Sequence, residues 1–128
     1  TNLESAVSFI KQLRARGCRF SLDDFGSGLS SFRYLKTLPV DFLKIDGQFV
    51  ANVAAEAVDR SMVEAIVQVG RTLGIATVAE KVESAAVLAE LARIGVDFAQ
   101  GFHIARPKPL AQFPRTEIAA PRILRVVM

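Results

Sequence analysis

A chain of 128 residues with 51% apolar side chains has enough hydrophobic material for one packed domain and too much for a disordered segment. No apolar run reaches the roughly 18 to 20 residues that cross a bilayer, and no basic, apolar and small-residue zones of a secretion signal open the chain, so neither a span nor export is expected. The net charge of +3 comes from scattered basic residues, which argues against a nucleic-acid polymer as partner, and one cysteine, Cys18, excludes an internal disulfide and suits a reducing cytoplasm.

Leu3, Val7, Ile10 and Leu13 recur at helical spacing, so residues 3–16 are expected to form an amphipathic helix stopped by Gly17. A strand is expected over 18–23, broken by Gly26, Ser27 and Gly28, and then a helix over 29–38 that ends before Pro39. The next strand is 40–45, followed by a short helical turn over 48–53. A long helix over 61–73 carries Met62, Ile66, Val69 and Leu73 on one face and is closed by Gly74. Strand 75–79, helix 85–94 capped by Gly95, and strand 96–99 complete the alternation. Phe9, Phe20, Phe42 and Phe98 fall at apolar positions and are assigned to the core, as is Cys18. Residues 111–128, with Pro114 and Pro121, read as a peripheral tail after a domain of residues 1–110.

Short apolar strands alternating with amphipathic helices imply an α/β fold whose roughly four parallel strands are joined by right-handed crossovers. A complete eight-stranded α/β barrel takes about 250 residues, so this chain accommodates about half of one. Such a half would leave two sheet edges and apolar helix faces bare, favouring dimerisation or aggregation.

In parallel α/β sheets the ligand site lies beyond the C-terminal strand ends. Each expected strand here ends in a polar group: Asp23 and Asp24, Lys44, Glu80 and Gln100. Any one of them alone reads as a turn, a cap or a solvated tip; together they place a polar group at every strand end on one rim. Asp23, Asp24 and Glu80 would repel one another without a cation, and oxygen ligands favour magnesium or manganese. Two such ions can clamp a phosphodiester. Lys44 would then hold the attacking water or a phosphate oxygen.

The segments DDFGSGLSSF (23–32), LPVDFLKID (38–46), VAEKVE (78–83) and QGFHIARP (100–107) closely resemble those of EAL-domain cyclic-di-GMP phosphodiesterases, in order and in spacing. The resemblance runs from near the first residue to about Leu110. It implies the C-terminal half of a modified TIM barrel and a two-metal hydrolase that opens cyclic di-GMP to linear pGpG with magnesium or manganese. By the family's pattern Asp23 bridges the two metals, Asp24 ligates the second, Glu80 binds that metal or its water, and Lys44 contacts the hydrolytic water. Glu83 and Gln100 support the site, and the loop containing Gly26, Ser27 and Gly28 couples dimer contacts to metal binding.

The resemblance also implies a homodimeric cytoplasmic protein, or the cytoplasmic part of a membrane-anchored one, with cyclase or sensory domains upstream. Lys81 stands where the family usually has glycine or phenylalanine, and Phe102 where tyrosine is common. The family's first half, with its Glu-Ala-Leu motif, asparagine and further glutamate, has no counterpart in these residues, so this stretch alone is expected to be inactive. Glu64-Ala65-Ile66 is assigned to a helix, and His103 to the end of the last strand. Two other functions fit the residues: a cyclic-di-GMP receptor or dimerising regulatory module without turnover, and an aldolase-like barrel with a Schiff base on Lys44.

Overall fold

Strands and helices alternate as the apolar pattern demands, over α1 (Asn2–Arg14), β1 (Arg19–Phe25), β2 (Phe42–Ile45), α2 (Gly47–Ala51), α3 (Ala57–Leu73), β3 (Ala76–Ala79), α4 (Ala85–Ile94) and β4 (Phe98–Gly101). Two further strands follow, β5 (Ile104–Pro109) and β6 (Ile123–Val126). The computed structural model describes residues 2–26, 34–101, 104–109 and 123–126. Most of the helix expected over 29–38 therefore lies outside the described residues; residues 34 and 35 are helical, and Leu38 N–H closes a turn onto the Tyr34 carbonyl at 2.9 Å.

The helix ends follow local chemistry. Asp46 precedes α2 and accepts from Gln48 N–H at 2.9 Å, while Ser84 precedes α4 and its hydroxyl oxygen accepts from Val87 N–H at 3.1 Å. Gly74 and Gly95 stop α3 and α4 at φ of 72° and 101°, backbone conformations that a side chain would strain. Helix α3 starts at Ala57, earlier than the periodicity suggests, because Val58 in its first turn is 73% exposed and breaks the apolar stripe. Its buried face is Val63, Ile66, Val67 and Gly70, with Met62 and Val69 at the margin, so the helix is rotated from the face read in the sequence, and Leu73 is exposed.

One sheet holds all six strands in the order β5-β4-β3-β2-β1-β6. Strands β1 to β4 run parallel to their neighbours, as the alternation implies. The outer edges of β1 and β4, which four strands alone would leave bare, are paired within the chain: β6 runs parallel to β1 from Arg19↔Ile123 to Leu22↔Val126, and β5 returns antiparallel along β4. No helix among the described residues is long and apolar enough to cross a membrane.

Register and strand alternation sort the sheet into two faces. Phe20, Leu22, Leu43, Ile45, Ala79 and Ala99 are buried on one face in a core shared with Ile10, Val63, Ile66, Val67, Val87 and Leu91 of the helices. Each such Leu, Ile or Phe contributes roughly 1.5–3 kcal/mol relative to an exposed position. Phe20 and Phe42 are buried as expected, with Phe98 half-buried edge-on to Phe42 at 5.9 Å, but Phe9 is 58% exposed: it falls on the solvent side of α1, next to the buried Ile10. Cys18 is half-buried and packs against the core.

At the N-terminal end of the sheet two aspartates clamp neighbouring strands. Asp41, just before β2, accepts from Phe20 N–H in β1 at 2.9 Å and from the Arg14 guanidinium at 2.9 Å. Asp97, just before β4, accepts from Thr77 N–H in β3 at 2.9 Å and from the Thr77 hydroxyl at 3.2 Å. In each case the carboxylate takes the N–H of the second residue of the preceding strand, and the sheet's entrance is tied the same way twice.

Candidate functional site

The second face of the sheet carries the polar residues. Ser21 lies opposite Phe42, Phe42 opposite Ala76, Lys44 opposite Val78, and Val78 opposite Phe98. Asp23, Glu80 and Gln100 each follow one of these by two residues, and strand alternation returns them to that face. Thus Asp23 of β1, Lys44 of β2, Glu80 just beyond β3 and Gln100 of β4 form a row across the C-terminal strand ends, away from the helices. The rim read in the sequence exists.

A bulge shapes its first member. Between Leu22↔Leu43 and Phe25↔Ile45, β1 advances three residues while β2 advances two. Asp24 is the extra residue in effect, exposed and at φ 55°, an unusual conformation for a non-glycine residue. The bulge lets two consecutive aspartates stay off the helix-facing core while Leu22 and Phe25 on either side of them remain fully buried. Gly26 then turns at φ +107°, and a Cβ there would stand 2.8 Å from the Phe49 ring, so the backbone at Gly26 lies against α2. Ser27, Gly28, Phe102 and His103 lie outside the described residues.

Asp23 is 7% exposed, and the Ser21 hydroxyl donates to its Oδ1 at 2.9 Å. Ser21 was not singled out in the sequence, although its place two residues before Asp23 on the same strand face was a usable signal. Lys44 is 5% exposed, and its Nζ lies 3.3 Å from Glu80 Oε1. Because β1 and β3 flank β2, the Asp23 and Glu80 backbones are about 10 Å apart, and Lys44 stands on the strand between them. A buried lysine of this kind needs a carboxylate partner, and Glu80 supplies it. Gln100 Oε1 is buried without a hydrogen-bond partner among the described residues, a lone acceptor at the far end of the row. Glu83 is exposed on the loop that leads from β3 to α4.

The donor set of Asp23, Asp24, Glu80 and the Gln100 amide oxygen is the all-oxygen kind that hard divalent cations take. Among the described residues, however, no three His, Cys, Asp or Glu side chains converge closely enough to hold an ion. Asp23, Asp24 and Glu80 therefore do not by themselves make a closed ion site among the described residues.

Comparisons with known proteins cover most of the chain. The family model described as "EAL domain" matches residues 1–107. The cyclic di-GMP phosphodiesterase PdeB of Shewanella oneidensis is 48% identical over 112 residues, covering 88% of this chain and 13% of PdeB. The bifunctional diguanylate cyclase/cyclic di-GMP phosphodiesterase MucR of Pseudomonas aeruginosa is 44% identical over 109 residues, covering 85% of this chain and 16% of MucR. A structure of the PaMucR phosphodiesterase in complex with c-di-GMP superposes with a TM-score of 0.72 at 44% identity, over 85% of this chain and 44% of that one. The chain thus spans a small part of its curated relatives and less than half of that solved chain.

Proposed function

The chain belongs to the EAL domain family, and from that premise we propose that it supplies one wall of a divalent-metal site that hydrolyses cyclic di-GMP to linear pGpG. The observation that carries the reading is the row of Asp23, Lys44, Glu80 and Gln100 on one sheet face at the C-terminal strand ends, with Lys44 buried against Glu80. PdeB and MucR, named for that activity, and the c-di-GMP complex of PaMucR support the substrate.

In this reading Asp23, Asp24 and Glu80 are the metal ligands and the ions are magnesium or manganese, completed by residues from the other half of the barrel. When bound, such ions lower the pKa of water and offset charge developing on the phosphoryl oxygens. The protein's own residues do the positioning. The Ser21 hydroxyl donates to Oδ1 of Asp23 and orients its carboxylate. Lys44, pinned by Glu80, presents its remaining N–H groups to the attacking water or a phosphate oxygen, and Gln100 Oε1 accepts a hydrogen bond from a water at that edge. Glu83, Gly26, Ser27 and Gly28 are supporting residues in this reading. In the same reading the working protein is a cytoplasmic homodimer, and the bifunctional name of MucR supports a cyclase domain upstream.

The test is cyclic di-GMP hydrolysis with manganese, comparing residues 1–128 alone with the complete domain that contains them. Turnover by the complete domain only, abolished by Asp23→Asn, is the expected result. A complete domain that binds cyclic di-GMP without hydrolysing it would move the assignment to a receptor.

A further inference from the structure

Lys81 follows Glu80 at the rim, is exposed, and sits at φ 59°, in the left-handed region where a lysine is strained. Two backbone features hold it there. Val82 N–H donates to the Gln100 carbonyl at 3.0 Å, and a Cβ on Gly101 would stand 2.1 Å from the Val82 carbonyl oxygen, so the loop lies directly on the end of β4. The side chain has a fixed course as well. A Cβ on Gly47 would stand 2.8 Å from Lys81 Cδ, 3.5 Å from its Cγ and 3.6 Å from its Cβ. The lysine stem therefore runs from just past β3 across Gly47, the first residue of α2, beyond the end of β2.

Resting on the function proposed above, we propose that Lys81 is a substrate-binding residue that contacts a phosphodiester oxygen outside the carboxylate row. A cyclic dinucleotide carries two phosphodiesters. Only one can occupy the metal-ligand row at a time, and Lys44, 3.3 Å from Glu80 Oε1, serves that row. The second phosphate calls for another cation at the rim, and Lys81 is an exposed one whose stem is laid across the ends of β2 and β3. The strain at Lys81 is a cost that glycine would not incur, and a contact to substrate accounts for a lysine at this position.

The experiment uses the complete domain and measures KM and kcat for cyclic di-GMP, the equilibrium binding of the same ligand, and Tm. Lys81→Ala raises KM and Kd by about two- to fivefold with kcat little changed, and Lys81→Arg restores them. Lys81→Gly gives the same KM with a Tm higher by about 2 °C, because it removes the left-handed strain. Gly47→Ala pushes the stem aside without touching the charge, so it raises KM alone and adds nothing to Lys81→Ala. Unchanged KM and Kd in Lys81→Ala, with full activity in the unsubstituted domain, would overturn the proposal and leave the function intact. An unsubstituted domain that neither binds nor hydrolyses cyclic di-GMP would overturn both.

Discussion

The two ends of this mostly parallel sheet surround the same residue type with different partners. At the N-terminal end, Asp41 and Asp97 meet backbone N–H groups of the neighbouring strand, and each carboxylate is spent on a clamp. At the C-terminal end, Asp23 meets a serine hydroxyl on one oxygen, Asp24 is displaced outward by a bulge, and Glu80 holds a buried lysine. The difference lies in the donors. Fixed strand N–H groups, joined by Arg14 and the Thr77 hydroxyl, turn the entrance carboxylates into structure, whereas at the exit Asp23 meets the Ser21 hydroxyl and Glu80 the Lys44 ammonium.

This contrast can be broken or sharpened by substitution. Lys44→Met should cost most, about 3 kcal/mol in urea denaturation, because Glu80 keeps a carboxylate at a largely buried place without its cation; adding Glu80→Gln should recover much of it. Asp41→Ala follows at about 2 kcal/mol, since it orphans Phe20 N–H and frees Arg14, while cyclic di-GMP turnover per folded complete domain should be retained. Asp97→Ala should cost about 1 kcal/mol, as its more exposed clamp admits water to Thr77 N–H.

The smallest effect lies outside both ends. Arg93 Nε donates to both Glu90 oxygens at 3.1 Å, and that hydrogen bond, with charge from Arg93 and Arg60, holds the Glu90 carboxyl below its ordinary pKa. A depressed carboxylate contributes stability that is present above its unfolded pKa and lost as pH falls through the folded one. Glu90→Gln should therefore flatten the acid limb of stability only slightly, because the pair is solvent-exposed.

Much of this was legible in the sequence, and the remainder was hidden for identifiable reasons. Helical period and strand alternation located α1, α4 and β1 to β4, and a polar residue at each strand end located the rim. The bulge left no trace in the pattern, because adjacent aspartates look alike whether or not one is extra. Asp41 and Asp97 were missed because a clamp depends on the register of the neighbouring strand, which the sequence of one segment does not contain. Strand β5 was hidden by Pro107 and Pro109, since proline usually argues against a paired strand. Strand β6 was hidden because four residues, Ile123–Val126, in a proline-bearing tail carry too short a pattern.

The central claim is that identical side chains at the two ends of the sheet divide structure from chemistry. Its most direct test is Asp23→Asn beside Asp41→Asn in the complete domain, each removing one charge at nearly constant shape, with kcat and Tm measured for both. Asp23→Asn should lower kcat by a factor on the order of 10³ or more with Tm nearly unchanged, and Asp41→Asn should lower Tm with kcat nearly unchanged. Loss of both quantities together in either variant, or the reverse assignment, would contradict the account.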